Sequence, residues 1–337
     1  MGRGQFLIWR LLLLIPTIIG LTILTFVISR VVPADPAKLA AGPRASPDMV
    51  QTIRDKYGLD DPLIEQYFVY IGNLLRGDFG ESILTQHQVA DDLSDRFPAT
   101  LELVMAAMIL AVAIGVPLGI ISAIYQNRWP DQIARVFAIS SVSIPSFWFA
   151  IILQLALASK LGILPLSRRY PTLETPPEDV TGFLVIDSIL AGDLHALWTS
   201  IEHLILPASV LAIAPLAIIM RTLRGDVLEV MGQDFVRSAR AKGLSERAVI
   251  RRHVLKNAFI PSLTMIGLTF GWTLGGTVLV EAVFDWPGIG KYAVDAAVRL
   301  DFDPIMGVTL IVGVVFIFLN LIVDLLYGFL DPRISYR

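Results

Sequence analysis

Apolar positions in this 337-residue chain are gathered into long runs separated by polar stretches, rather than spaced one face at a time. Six runs approach the roughly 20 residues that a helix needs to cross a hydrocarbon layer: 11–29, 101–125, 136–159, 204–220, 261–283 and 305–327. The fourth is the shortest and carries Pro207 and Pro215, while Pro117 and Pro145 interrupt the second and third. Membrane helices tolerate proline because neighbours can satisfy the freed backbone groups. Between the runs, 48–75 has helical periodicity, and 168–181 is proline-rich and expected to be irregular. The pattern predicts an all-α, polytopic membrane protein with six transmembrane helices.

Composition agrees: 55% of residues are hydrophobic and only 17% charged, a membrane profile rather than that of a soluble core. The net charge of −3 says little, but its distribution says more. Arg221, Arg224, Arg237, Arg240, Lys242, Arg247, Arg251, Arg252 and Lys256 crowd the interval between runs four and five, opposed by Asp226, Glu229, Asp234 and Glu246. Excess Lys and Arg marks the cytoplasmic side. Six spans then place both termini inside, with Arg3, Arg10, Arg333 and Arg337, and the loop at Arg128 is inside too. The opposite segments are acidic: residues 33–96 hold eleven Asp or Glu against six Lys or Arg. The first run could imitate a secretory signal with Ala37–Ala40 as a loose cleavage site, but 19 uncharged residues between Arg10 and Arg30 exceed the usual signal core. It is expected to be a retained span.

The basic interval has a form of its own. Residues 234–242 read as a short helix stopped by Gly243, which can take the left-handed conformation of a C-terminal cap. Ser245 can cap a second helix over about 246–258, with Pro261 opening the fifth span. Ile250, Val254 and Ala258 would form its apolar strip. Charge alone could serve topology or anionic lipid; two capped helices around the small residues Ala239, Ala241 and Gly243 suggest a surface gripped from outside the membrane.

Here the chain resembles the permeases of ATP-binding-cassette importers, in the dipeptide/oligopeptide/nickel branch. The resemblance rests on Arg237-Ser-Ala-Arg-Ala-Lys-Gly243 followed by Asn257-Ala-Phe-Ile-Pro261, which looks like that branch's cytosolic "EAA" loop. It extends through Arg10-Leu-Leu, Ile15-Pro16, Tyr57–Pro62, Gly77–Ser82, Val280–Phe284, Trp286–Gly290 and Asp331-Pro-Arg333. Two departures are Ala34 within Pro33–Pro36, where glycine is usual, and a longer 299–304 stretch. The resemblance implies a type I importer (MetI-like) permease fold, of the first-subunit type. It divides the chain into an N-terminus and first helix (1–32), an extracytoplasmic segment (33–96), a five-helix core (97–330) with a coupling loop at 221–260, and a cytosolic tail (331–337). It implies that Arg237, Ala239, Arg240, Ala241, Lys242, Gly243, Leu244, Ser245 and Glu246 couple to ATPases. It further implies a second permease, two ATPases that use ATP and Mg, a solute-binding protein, and residence in a bacterial or archaeal cytoplasmic membrane. No cofactor is expected on this chain, and no nucleic acid. Cargo would be di- or oligopeptides, or nickel chelates, glutathione, opines or oligosaccharides.

Two sets of residues are candidates for the path. Thr269, Thr273, Thr277 and Glu281 recur every four residues and could face a pore, or the hydroxyls could bond back to carbonyls one turn earlier. Gly267, Gly271 and Gly275 recur on another face as a packing seam. Ser140, Ser141, Ser143 and Ser146 surround Pro145 and could line a wet cavity or simply pack.

Other function classes fare worse. The lone Gly290-Lys291 pair lacks the rest of a phosphate loop, and His87, His195, His203 and His253 form no zinc or hydrolase motif. With no cysteine there is no thiol chemistry. A secondary carrier or channel predicts mid-span ion pairs and inverted repeats, neither of which the sequence displays.

Overall fold

The computed structural model describes residues 3–31, 37–38, 45–56, 58 and 60–330. The motif positions Pro33–Pro36, Ala40, Tyr57, Leu59 and the tail 331–337 lie outside the described residues, as do the side chains of Arg3, Arg10, Arg30 and Asp324. Thirteen helices are used below: α1 Arg3–Val31, α2 Pro47–Lys56, α3 Leu63–Leu74, α4 Val89–Ile124, α5 Trp129–Ser143, α6 Ser146–Leu153, α7 Leu184–Leu190, α8 Leu194–Met231, α9 Asp234–Ala241, α10 Glu246–Val249, α11 Leu255–Phe284, α12 Ile289–Val298 and α13 Phe302–Leu330. Among the described residues the only strand-like pairing is one bridge between Glu81 and Gln88.

Five apolar runs become unbroken helices long enough to cross a membrane: α1, α4, α8, the continuous α10–α11 and α13. The third does not. Pro145 interrupts it, as expected, and sharply: α5 and α6 meet at 104° across Ile144 and Pro145, so the run counts as a sixth span only as a bent pair. Proline disfavours helical backbone in the residue before it, and Ile144 is accordingly extended, at φ −90° and ψ 123°. Pro98, Pro117, Pro207, Pro215 and Pro261 all stay inside helices. Pro207 and Pro215 are buried against neighbours, whereas residues 142–148 are exposed, so no packing holds the helix together there. Below the break, Gln154 opens a π-helical turn (Gln154–Lys160) and donates to the carbonyls of Leu166 at 2.9 Å and Val283 at 3.2 Å.

Lipid tails are as apolar as leucine, so membrane helices associate through close packing rather than exclusion of water. The most extensive helix pair is α4 with α8, and its sequence shows why. Ala107, Ala111, Gly115, Gly119 and Ala123 recur every four residues on α4, and all are buried. A Cβ added at Gly119 would stand 2.8 Å from the Met220 carbonyl oxygen, and one at Gly115 would stand 3.1 Å from that of Leu216. The helix backbones therefore touch. The seam expected on α11 is real but shorter: Gly267 packs on Val323 and Gly271 on Phe316 of α13, while Gly275 has open space before it. Gly275 instead lines an apolar groove of about 730 Å³ with residues of α1, α12 and α13.

The fourth run, expected at 204–220, is only the middle of a 38-residue helix. At 1.5 Å per residue that helix is about 57 Å long, well beyond the hydrocarbon thickness of about 30 Å. It carries the chain clear of the membrane at a basic end, where 221–256 lies, and at an acidic end.

Candidate coupling site and pathway surfaces

At the basic end α9, α10 and the projecting parts of α8 and α11 enclose a small core of their own. Val236 and Ala239 of α9 are buried with Val227 and Val230 of α8, Val249 of α10, and Val254 and Ala258 beyond it. The expected strip of Ile250, Val254 and Ala258 is corrected to Val249, Val254 and Ala258, because residues Ile250–Val254 form a π-helical turn that brings positions five apart onto one face. That same turn joins α10 to α11 without a break, so the second helix is not separate from the fifth span and Pro261 lies within it.

Gly243 does end α9, at φ +79° with no atom near the place of a side chain, and its N–H donates to the Arg240 carbonyl at 2.9 Å. Ser245 stands at the N-cap position of α10 but makes no side-chain cap bond. An ion pair closes the turn instead. The Arg240 guanidinium donates to both Glu246 carboxylate oxygens, at 3.1 and 2.6 Å. Ala241, Lys242, Gly243, Leu244, Ser245 and Glu246 are all exposed, as are Arg237 and Phe235. Ala239 is not: at 6% exposure it belongs to the core beneath. Sequence reasoning missed Phe235; its signal is an aromatic one position off the buried 236/239 face of a short helix.

Arg224, read as one of the topology-setting charges, has a structural task. It grips Asp131 with two bonds of 2.6 and 2.9 Å, and Ser122 and the Asn127 N–H complete that carboxylate's shell. Asp131 is fully buried. The pair fastens the α4–α5 turn to α8. Beside it a cavity of about 510 Å³ runs along α5 and α8, from Arg135 and Arg221 to Ser143 at the helix break.

The two path candidates separate. Ser140, Ser143 and Ser146 are exposed around the break, and only Ser143 of the three is seen bonding back, to the Ile139 carbonyl at 2.9 Å. Thr269, Thr273 and Thr277 are buried, and each hydroxyl donates to a carbonyl of its own helix: Met265 at 2.6 Å, Thr269 at 2.7 Å and Leu274 at 3.0 Å. The threonine stripe faces the chain's interior because α4 packs on that side of α11. Glu281, the last member of the stripe, is wholly enclosed. Its carboxylate accepts from Thr100 Oγ at 2.8 Å and from the Lys291 N–H at 3.0 Å, capping α12. Gly288 and Gly290 leave the space it occupies.

That cap is one of several locks at the acidic end. Trp286 Nε1 donates to the Ala99 carbonyl at 2.9 Å. Arg169 donates twice to Glu102, at 2.9 and 2.6 Å, and once to the Gly182 carbonyl, which pins the irregular 161–183 segment to α4. Asp301 accepts from Ser82 Oγ at 2.9 Å and the Leu84 N–H at 3.1 Å, and Asp92 accepts from Tyr292 at 2.7 Å. Burial, and then the Asp92 carboxylate, push the Tyr292 phenol well above its ordinary range, so it remains a donor.

Two family models together cover nearly the whole chain. Residues 115–336 match the binding-protein-dependent transport system inner membrane component, and residues 4–104 match the N-terminal part of such a membrane component. The chain belongs to this family. It is a permease, a transport subunit of MetI-like fold and not an enzyme. It is 43% identical over 327 residues to a dipeptide transport system permease protein of Alkalihalophilus pseudofirmus (97% of this chain, 98% of the relative). It is 40% identical over 336 residues to that of Escherichia coli K12 (99% of each). A glutathione transport system permease protein of E. coli K12 is 38% identical over 333 residues, again 99% of each. The bent α5–α6 pair, α8 and the exposed tip of the permease lie within the larger match, which begins part-way along the α4 seam at Gly115.

Proposed function

We propose that this permease forms half of a translocation path for dipeptides, and that the exposed tip from Ala241 to Glu246 is where partner ATPases push. The observation that carries this reading is mechanical. The tip rests on its own core, and two of the helices that build the core, α8 and α10–α11, are each continuous with an apolar span. A force applied at Lys242, Gly243 and Leu244 therefore reaches both helices as a rigid displacement. Arg237, Phe235 and Leu244 offer the contact; Ala239 and the Arg240–Glu246 pair hold its shape.

In this reading the basic end is cytosolic, both termini are inside, and the membrane is a bacterial or archaeal cytoplasmic membrane. A second permease completes the path, two ATPases consume ATP and Mg, and a solute-binding protein delivers cargo at the acidic end. The segment boundaries 1–32, 33–96, 97–330 and 331–337 describe this organisation. The path face is the serine-bearing break of α5 and α6 with the cavity along α5 and α8, whose fixed charges are Arg135, Arg221 and Arg224 toward the basic end; selectivity is left mostly to the binding protein. Dipeptide cargo follows the names of the relatives.

The test is ATP-driven uptake of a labelled dipeptide by proteoliposomes holding the whole transporter and its binding protein. A Leu244→Asp permease should assemble and lose uptake together with cargo-stimulated ATP hydrolysis. Normal coupling in that variant would remove the tip from the mechanism.

A further inference from the structure

The acidic segment before α4, expected to lie over the membrane surface, contains a helix whose outward side chains are largely apolar. α3 runs Leu63–Leu74 and carries three longitudinal stripes. Tyr67 and Tyr70, with Leu74 next along the same stripe, lie on the first, and the two tyrosines turn toward α1. The Tyr67 hydroxyl meets Thr22 Oγ at 2.9 Å and the Tyr70 hydroxyl meets Thr25 Oγ at 3.2 Å. Phe26 packs against both rings, edge-on to Tyr67 at a centroid distance of 5.4 Å and tilted to Tyr70 at 5.8 Å. The second stripe is Ile64, Phe68, Ile71 and Leu75, at i, i+4, i+7 and i+11, and three of these are wide open: 72%, 69% and 84% exposed. The third is Glu65, Val69, Gly72 and Arg76.

The anchor points set the depth. Thr22 and Thr25 lie six and three residues inside the end of the apolar window Leu11–Ile28 of α1, roughly 9 and 4.5 Å at 1.5 Å per residue. Only 17% of that window is buried in the chain, so most of α1 is left uncovered by the rest of this chain. Charges bracket α3, with Asp60 and Asp61 before it and Arg76 and Asp78 after it, and Glu65 on the third stripe is the one charge within it. Amphipathic rings of tyrosine favour the same level, where one end is apolar and the other wet.

We propose that α3 is an interfacial membrane helix: its Ile64–Phe68–Leu75 stripe is buried among the acyl chains of the leaflet at the acidic end, its tyrosines are clamped to α1, and its Glu65–Arg76 stripe faces water. Such a helix holds the acidic segment beside the mouth of the permease through lipid.

The absence of cysteine from the chain makes the test direct. Single spin labels are placed on the assembled transporter in phosphatidylethanolamine–phosphatidylglycerol nanodiscs, through Ile64→Cys, Phe68→Cys, Leu75→Cys, Glu65→Cys and Arg76→Cys. At 64, 68 and 75 oxygen should collide several-fold more often than a water-soluble nickel chelate, and at 65 and 76 the order should reverse. Chelate access at all five would overturn the proposal, because the helix would be in water. So would exclusion of both probes at 64, 68 and 75, which would mean that a partner subunit covers the stripe. Phe68→Trp gives an independent reading with a milder change: brominated lipid should quench its added fluorescence, and unquenched emission would count against lipid contact.

Discussion

The cap at the acidic end of this permease and the tip at its basic end are built on opposite principles. At the acidic end, Glu102, Glu281, Asp92 and Asp301 are nearly or completely buried, and each accepts hydrogen bonds from residues distant in sequence. At the basic end the coupling tip is closed by one ion pair, Arg240–Glu246, whose side chains are 37% and 54% exposed. Removing one member of a buried charged pair strands the other in a medium that cannot solvate it, whereas an exposed pair is replaced by water at little cost. The first arrangement makes a rigid cap, and the second a tip that can shift against a partner while the small core beneath it keeps its shape. Under the proposed function both have a use: a tip pushed by ATPases would move, and the cap would give the moving helices something fixed to turn against.

The largest test of this contrast is Arg169→Ala. It leaves the buried Glu102 carboxylate with the Val185 N–H as its remaining donor and no opposite charge, removes the donor to the Gly182 carbonyl, and should cost roughly 3–5 kcal/mol, seen as a clear drop in the temperature at which the detergent-solubilised permease loses its monodisperse peak. Next is Glu281→Ala, which uncaps α12 and opens a cavity beside Gly288; a loss of about 2–3 kcal/mol is expected from hydrogen bonds to a charged group, by the same measurement. Gly243→Ala forces a side chain into left-handed backbone at φ +79° and should cost about 1 kcal/mol; the space around it is empty, so uptake should fall through a misplaced tip and not through misfolding. Smallest in stability is Arg240→Ala, below about 1 kcal/mol, yet it should reduce uptake per ATP hydrolysed. If Arg240→Ala destabilised the permease as much as Arg169→Ala, the tip and the cap would not differ in kind and the contrast would fall.

Serine and threonine show how differently one chemistry is used. Thr269, Thr273 and Thr277 looked as ready to line a path as Ser140, Ser143 and Ser146, since both sets are hydroxyls at helical spacing. Their neighbours separate them: α4 covers the threonines, and the break at Pro145 leaves the serines uncovered. Asp131 and Arg224 show the same limit. Ninety-three residues apart, they form a lock that no local pattern announces.

Sequence alone determined which stretches enter a membrane, where the basic tip lies, and that Gly243 ends its first helix, because these depend on local hydrophobicity, charge and backbone freedom. The four-residue seam from Ala107 to Ala123 was equally present in it, readable once small residues are followed on every helix. Tertiary structure decided the rest: which of six prolines breaks a helix, which hydroxyls are enclosed, that α11 continues through Pro261 to the tip, and which charges are spent on locks. Each of those depends on whether a neighbouring helix supplies packing or a hydrogen-bond partner, and that is settled only when distant parts of the chain meet.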